Sequence, residues 1–271
     1  MTARLELHGA HGYKLDGRKV PGATTVIDVL AKPALVRWAA GIVADHAVDH
    51  WDTLADLPLS ERGKALRAAP DNRKKEAGIR GKRIHSLAEG LAHGDPVEVP
   101  DELRGPVEAI ARFLDQWDME TVVNECAVAH TGYRYAGTFD AVVTSPKLHD
   151  GQPVMLDYKT GSGIYDEIAL QLAAYRYADY ACERVPSQPG PRGGKPKRAH
   201  ELVEIGMPET VAGYGVHVRE DVAVLVPTDS DENTWRQFLY ALQIQRWKAA
   251  LRDDPVVFEP VFPETIAGGV W

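Results

Sequence analysis

The sequence predicts an α/β protein in which a mixed central β-sheet is flanked by helices and preceded by a helical elaboration at the N-terminus. Helix-like patterns fill most of the chain before residue 117, whereas three short β-rich runs follow one another between residues 121 and 158. Beyond them, a helix, two strands and a final helix are expected. Helices and strands in this order are typical of one sheet covered by helices.

One domain is expected over residues 1–271, because no segment resembles an independent second unit. Within it, residues 1–100 form the helical elaboration, 101–253 the core, 186–199 a flexible loop and 254–271 a tail. A hydrophobic content of 44% over 271 residues is sufficient for a large buried core. The loop is rich in proline, glycine and basic residues, which bury little surface.

The N-terminal part is predicted to begin with a short strand over 13–15 and a turn at Asp16-Gly17. A helix follows Pro21-Gly22, where Thr24 or Thr25 can cap it. Further helices are expected over 33–50, from residue 60 onward, over 71–93 and over 101–117.

The second half of the chain changes to a β-rich pattern. Three runs, 121–130, 136–144 and 153–158, form a predicted meander, and a turn at Asp150-Gly151 makes the second and third run paired neighbours. The remaining elements are predicted as a helix over 164–183, strands over 214–218 and 222–226, and a helix over 231–252.

Charge is unevenly distributed. The net charge of −8 argues against indiscriminate coating of nucleic acid, which depends on the neutralisation of phosphates. Residues 61–83 nevertheless contain nine basic and three acidic residues, a local excess of +6. Taken alone, such a run is better explained as a solvated helix face.

Cysteine usage and hydropathy limit the class of protein. The two cysteines, Cys126 and Cys182, are predicted to be reduced packing residues. No apolar run approaches the ~20 residues of a membrane span, and the first residues lack a secretory pattern. The expected compartment is therefore the cytoplasm.

Two acidic residues and a lysine suggest a reactive site. Asp140 lies in the second β-run, and Asp157 and Lys159 lie at the end of the third. Because side chains alternate along a strand, Asp157 and Lys159 share one face. Pairing of the two runs brings Asp140 close to Asp157 if their side chains share that face. Two carboxylates side by side repel each other, and a divalent cation relieves this repulsion while using the oxygen ligands that Mg²⁺ prefers.

These residues belong to a longer pattern that resembles the RecB-like branch of the PD-(D/E)XK nucleases over about residues 81–175. Its parts, in chain order, are His85 in Gly81-Lys82-Arg83-Ile84-His85, Gly137-x-x-Asp140, Asp157-x-Lys159-Thr160-Gly161 and Gln171-x-x-x-Tyr175. The stretches 20–25 and 35–38 are also similar to phage and bacterial members, which implies the cytoplasm of a bacterial cell or a phage-infected host. The resemblance implies a restriction-endonuclease-like core.

The resemblance also implies roles for these residues. His85, Asp140, Asp157 and the backbone carbonyl of Tyr158 would bind Mg²⁺ or Mn²⁺, and Lys159 would hold or activate the attacking water. The imidazole favours Mn²⁺ as an activator, because nitrogen ligands suit transition metals better than Mg²⁺. Other residues expected at the site are Glu125 as a further carboxylate, and Gln171, Tyr175, Arg80, Lys82 and Arg83 as DNA contacts.

The function expected from this pattern is a metal-dependent deoxyribonuclease, an exonuclease or end-processing enzyme in recombination, replication or repair. Many RecB-like members carry four cysteines for an iron–sulfur cluster, and two cannot supply it. Each Gly-Lys pair is followed by Ala, Arg or Pro instead of Ser or Thr, so no nucleotide-binding loop is expected. The partner is DNA, and a helicase or recombination protein would be a separate chain.

Other interpretations remain open on the sequence alone. The same fold could serve a catalytically silent DNA-binding or assembly subunit, or a restriction-type endonuclease. His85 could be an ordinary helix-surface histidine, and Asp157 with Lys159 an edge-strand ion pair of small energetic value. Gln171 and Tyr175 could serve only to fill and satisfy the core.

Overall fold

In this computed structural model, the described part of the chain comprises residues 4–8, 12–92, 98–186 and 200–251. The strands are β1 (Leu5–His8), β2 (Gly12–Leu15), β3 (Arg18–Val20), β4 (Glu120–Asn124), β5 (Ala127–His130), β6 (Tyr135–Thr138), β7 (Ala141–Thr144), β8 (Val154–Lys159), β9 (Tyr180–Pro186), β10 (His200–Ile205), β11 (Ala212–Val218) and β12 (Ala223–Thr228). The helices are α1 (Ala23–Ile27), α2 (Pro33–Asp49), α3 (Trp51–Ala55), α4 (Leu59–Ala92), α5 (Asp101–Gln116), α6 (Glu167–Arg176) and α7 (Glu232–Ala250). The loop expected at 186–199 and the tail at 254–271 lie outside the described residues, apart from Pro186.

A five-stranded mixed sheet with the order β12-β11-β8-β7-β4 lies at the centre of the protein. β8 is parallel to β11 and antiparallel to β7, and β12 and β4 extend the sheet as antiparallel neighbours. This confirms the predicted α/β class with a mixed sheet. β8 is the middle strand and is covered on both faces, as its run of buried apolar residues requires.

The two faces of this sheet carry different layers. On one face, α4 and α5 pack against alternate residues of the strands, as Ile84 and Ile110 do with Leu156. On the other face, α6 and α7 pack against the intervening residues, as Leu172 does with Met155. The alternation along β8 therefore directs Asp157 and Lys159 towards α6 and directs Tyr158 towards α4 and α5.

A second sheet of four antiparallel strands has the order β10-β9-β5-β6, and β1, β2 and β3 form a third, N-terminal sheet. The third sheet covers one side of the second, where Leu15 and Val20 pack with Ala129 and Tyr180. The N-terminal hundred residues are thus not only helical. They contribute strands and the buried helix α1 to the body of the fold.

The predicted meander is wrong in one respect, because two of its three runs are each divided between sheets. The run 121–130 becomes β4 in the five-stranded sheet and β5 in the four-stranded sheet. The run 136–144 becomes β6 and β7 in the same way, so the chain crosses between the sheets twice. The crossings lie side by side, since the N–H of Glu125 donates to the carbonyl of Asp140 at 2.8 Å. The antiparallel pairing of β7 with β8 is as predicted.

The helix predicted over 164–183 is also shorter than expected. It ends at Arg176 in α6, and the following residues form β9, which pairs with both β5 and β10. These long-range hydrogen bonds outweigh the local helical preference of the alanine-rich sequence.

Two further N-terminal predictions need correction. α1 begins one residue after Gly22, so neither Thr24 nor Thr25 is its cap. The helices expected from residue 60 and over 71–93 are one continuous helix, α4, with Pro70 inside it. The predicted helices 33–50, 101–117 and 231–252 and strands 214–218 and 222–226 match α2, α5, α7, β11 and β12 to within about two residues. Within the described ranges, no helix has the combination of length and apolar character needed to cross a bilayer.

Candidate metal centre and active site

Three residues with metal-ligating side chains converge beside the two sheet crossings. His85 comes from α4, Glu125 from the β4–β5 crossing and Asp140 from the β6–β7 crossing. One donor atom from each lies within 4.8 Å of the donor atoms of the other two. The Nδ1 atom of His85 is 3.5 Å from Oδ1 of Asp140. The three side chains are partly buried, so the group is reachable from solvent.

The backbone fixes the two carboxylates relative to each other. Glu125 has a φ of 49°, in the left-handed region that a residue other than glycine rarely adopts. Such a conformation costs roughly 1–3 kcal/mol and requires support from the surrounding structure. Support comes from the hydrogen bond between the N–H of Glu125 and the carbonyl of Asp140. The N–H of Tyr158 in turn donates to Oδ2 of Asp140 at 2.7 Å and orients that carboxylate.

Asp157 and Lys159 form the adjoining part of the site on the α6 side of β8. Asp157 is 2% exposed, and its Oδ2 atom pairs with the ammonium group of Lys159. Nε2 of Gln171 donates to Oδ1 of Asp157 at 2.7 Å, and Nζ of Lys159 donates to Oε1 of Gln171 at 3.3 Å. Nε2 of Gln171 also contacts the hydroxyl of Tyr175 at 3.0 Å. The spacing of Gln171 and Tyr175 on one helical face therefore places both of them in one network with the acid and the lysine.

The pKa values in this cluster reflect burial and mutual attraction. Burial raises the pKa of Asp157 to about 6, with a further contribution from Asp140 and opposition from Lys159. Burial would also raise the pKa of Asp140, but His85, Lys159 and the Tyr158 N–H lower it below its usual value.

The two basic groups show the converse pattern. Burial alone would lower the pKa of Lys159, but Asp157 and Asp140 raise it. Burial would likewise lower the pKa of His85, but Asp140, and to a smaller extent Asp157 and Glu125, raise it. The concentration of negative charge in a partly dry cleft thus attracts cations.

The donor set fits a divalent cation. Two carboxylates supply the oxygen ligands that Mg²⁺ and Mn²⁺ prefer, and one imidazole supplies a nitrogen that shifts the preference towards Mn²⁺. The compact group contains Glu125, whereas the sequence pattern named Asp157 as a ligand and Glu125 only as a further carboxylate. Asp157 instead contacts Lys159 and Gln171. The role expected of the Tyr158 carbonyl stays a prediction.

The basic residues expected to contact DNA, Arg80, Lys82 and Arg83, lie on α4 next to the site. Two of them pair with acidic side chains outside the candidate metal centre. Arg80 forms an ion pair with Glu220, and Arg83 lies 3.3 Å from a carboxylate oxygen of Glu102. Lys82 is exposed. Exposed pairs of this kind contribute little energy, so a phosphate can compete with either acid.

One residue near the site is absent from the sequence pattern. The hydroxyl of Tyr13, in β2, lies 3.0 Å from Oγ1 of Thr138, two residues before Asp140. Burial raises the pKa of this tyrosine, and Glu125 adds to the increase. Tyr13 is more than a hundred residues from Glu125 and Asp140, and nothing in the local sequence distinguishes it. Only the packing of the N-terminal sheet identifies it.

Comparison with known proteins gives no assignment of function. No protein-family model matches the sequence, and no curated protein is similar to it. Among solved structures, the crystal structure of SSO0001 is similar with a TM-score of 0.32 and 13% identity, over 83% of this chain and 74% of that chain. The function must therefore be inferred from the residues of this chain.

Proposed function

We propose that the protein is a divalent-metal-dependent nuclease that hydrolyses DNA phosphodiester bonds, acting as an exonuclease or end-processing enzyme in recombination, replication or repair. One observation supports this above the others. The His85, Glu125 and Asp140 donors lie beside a lysine whose ammonium group is held by a buried carboxylate. A cation site next to an oriented ammonium group is the combination that phosphodiester hydrolysis needs.

The two parts of the site have different tasks in this proposal. His85, Glu125 and Asp140 hold the cation. When bound, Mg²⁺ or Mn²⁺ supplies Lewis-acid polarisation of the scissile phosphate and lowers the pKa of a coordinated water. Lys159 has no lone pair while protonated, so it is not a ligand. Its N–H groups instead orient the attacking water or a phosphate oxygen and stabilise the charge that develops there.

The remaining residues position Lys159. Asp157 keeps the ammonium group protonated and directs it, since the ion pair raises the pKa of the lysine. Gln171 bridges the acid and the lysine, and Tyr175 fixes the amide of Gln171. Because Gln171 both accepts from Lys159 and donates to Asp157, it prevents either group from rotating out of place.

The test uses purified protein with end-labelled linear DNA and covalently closed circular DNA, in Mn²⁺, Mg²⁺ or a chelator. We expect the linear DNA to be degraded in Mn²⁺, the circle to survive, and the chelator to stop the reaction. Asp140→Asn should be inactive, whereas Asp118→Asn, which removes the acid of an exposed ion pair with Lys147, should be active. Cleavage of the circle would replace the exonuclease with an endonuclease. Binding of DNA without any cleavage would replace the enzyme with a silent binding subunit.

A further inference from the structure

Helix α4 continues far beyond the site as a solvent-exposed rod. Every residue from 71 to 79 is exposed, although a helix packed on a protein surface normally buries one side. The rod begins after Pro70 and ends two turns before His85. Its cationic residues are Arg73, Lys74 and Lys75, and its acidic residues are Asp71 and Glu76.

Helical geometry places these cations on different sides of α4. Lys74 precedes His85 by eleven residues, which is about three turns, so the two directions agree to within about 20°. Lys75 lies about 80° from the direction of His85, on the same half of the helix. Arg73 lies about 120° away, on the flank where Arg80 pairs with Glu220. Lys74 and Lys75 therefore belong to the side of the helix that leads to the candidate metal centre.

Two glycines, Gly81 and Gly78, lie on that side of α4 between His85 and Lys74. At Gly81 a Cβ atom would lie 2.9 Å from Oγ1 of Thr160, so the helix there lies directly against the loop that follows β8. At Gly78, about two turns before His85, a Cβ atom would meet nothing within 4 Å. The surface at Gly78 is thus open backbone, with room for a ligand to pass along the helix there.

The charge of this side is available to a ligand. Neither Lys74 nor Lys75 has an acidic partner among residues 4–8, 12–92, 98–186 and 200–251. Arg80 and Arg83, in contrast, pair with Glu220 and Glu102. A polyanion that leaves the metal centre along α4 passes Lys82, three residues before His85, and then meets Lys74 and Lys75.

We propose that this side of α4, from Gly78 to Lys74 and Lys75, binds the phosphate backbone of the strand that is being cut. Lys74 is about 16 Å along the helix axis from His85, at ~1.5 Å per residue. At ~3.4 Å of rise per nucleotide, this corresponds to about five nucleotides on one side of the scissile bond. That the bound strand is the one being cut rests on the proposed function. Binding of DNA to this surface can be measured without cleavage.

The test measures the affinity for a labelled 20-nucleotide DNA in chelator, between 50 and 200 mM salt. Each phosphate contact contributes about 0.7 to the slope of log affinity against log salt for single strands. We expect Lys74→Gln to reduce this slope by about that amount, whereas Arg73→Gln, which removes the same charge one residue away, leaves it nearly unchanged. Equal effects of the two substitutions would overturn the proposal.

A second pair of variants tests the path itself. Gly78→Glu places a carboxylate between His85 and Lys74, and Gly78→Ala adds a side chain without charge. Both replace a helix-interior glycine in open space, so both should preserve the fold or stabilise it. We expect Gly78→Glu to weaken DNA binding about tenfold and Gly78→Ala to leave it unchanged. Parental affinity of Gly78→Glu would show that the strand does not pass here.

The dependence of binding on DNA length tests this surface separately from the proposed nuclease activity. With a DNA of four nucleotides, which cannot reach Lys74 from the site, Lys74→Gln should bind as the parent protein does. If the variants behave as expected but no DNA is ever cleaved, the surface stands and the nuclease proposal fails. If the parent cleaves DNA but the variants do not differ, the nuclease proposal stands and the surface is rejected.

Discussion

Lys159 and Asp157 depend on each other because the acid is almost completely removed from water at the end of β8. A buried carboxylate without its cation is strongly destabilising, while the pair as a whole contributes little net stability. The value of the pair is therefore expected to lie in catalysis, where a fixed ammonium group acts without reorganisation.

The first prediction concerns Lys159→Ala. Cleavage should fall by about 10² or more, the usual scale for removing an electrostatic catalytic group, while DNA affinity and Mn²⁺ binding are largely retained. Single-turnover cleavage and DNA titration measure the two effects. Lys147→Ala, at an exposed ion pair with Asp118, is the matched control.

If Lys159→Ala did not fold, its loss of cleavage would not report on catalysis. A second variant removes this ambiguity. The double substitution Asp157→Asn with Lys159→Ala leaves no unpaired charge in the core, so it should fold even if the single variant does not. A double variant that is folded and cleaves as fast as the parent would refute the assigned role of Lys159.

At the scale of elements, β6 and α6 approach each other closely at Gly137. A Cβ atom at this glycine would lie 2.3 Å from Cε1 of Tyr175, so the tyrosine ring occupies the space of a side chain. Tyr175 contacts Gln171, which holds Asp157. Packing of the Tyr175 ring therefore requires a glycine at the first position of the Gly137-x-x-Asp140 pattern.

The second prediction follows from this contact. Gly137→Ala should lower the free energy of unfolding by roughly 1–3 kcal/mol, as overpacking does, and should reduce cleavage by displacing Tyr175 and Gln171. Denaturant unfolding and cleavage assays measure both. Gly132→Ala, where the nearest atom is at 3.5 Å, should change neither. A fully active, fully stable Gly137→Ala variant would contradict the close approach.

The third prediction concerns the start of α7. Oδ1 of Asp231 accepts from the N–H of Thr234 at 2.9 Å, and this hydrogen bond lowers the pKa of the exposed carboxylate. A lowered pKa in the folded state means that the stabilisation is complete above pH 3.8 and is lost as the pH falls through the folded value. Asp231→Ala should lower the Tm by about 2 °C at pH 7. It should also lack the part of the stability that the parent loses when Asp231 is protonated at low pH. Asp231→Asn should keep most of the Tm without the pH dependence, and thermal melts from pH 2 to 7 decide the matter.

The sequence predicted helices α2, α5 and α7 and strands β11 and β12 well, because each has a clear local periodicity. It failed where tertiary pairing decides. Runs 121–130 and 136–144 are continuous in composition, and only the competition between two sheets divides them. β9 has a helix-compatible sequence, and its strand conformation depends on β5 and β10, which are distant along the chain.

At the scale of the whole molecule, the candidate metal centre joins three separate parts of the fold. His85 belongs to α4, on one face of the central sheet, and Glu125 and Asp140 belong to the crossings between sheets. A cation that binds all three side chains stabilises the packing of these parts together. The free energy of binding then adds to the stability of the folded state.

The fourth prediction is therefore a metal-dependent increase of the Tm. At a Mn²⁺ concentration one hundred times the Kd, the stabilisation is about 2.7 kcal/mol, which corresponds to roughly 5 °C or more. Glu125→Gln should abolish the increase, and Glu120→Gln, at an exposed position of β4, should retain it. If the Glu125 variant and the parent respond equally, Glu125 is not a ligand.

Part of the candidate site followed from the sequence, because the pairing of β7 with β8 brings Asp140 close to Asp157 and Lys159. Asp140 itself lies in the β6–β7 crossing and not within a strand as predicted. The central position of Glu125 did not follow, since it depends on a left-handed backbone at a crossing that no local pattern signals. The separate directions of Arg80 and Lys74 also needed the structure, because charge counting treats both residues alike.

The backbone at Glu125 favours glycine, so folding and metal binding place opposite demands on this position. If Glu125 binds the proposed cation, selection for cation binding keeps a carboxylate there despite its conformational cost. Once that selection is relaxed, Gly or Asn at this position relieves the cost, and such replacements are expected to spread early while the fold persists. In a related sequence, a glycine at the position of Glu125 would thus mark a protein that keeps the architecture but has given up hydrolysis.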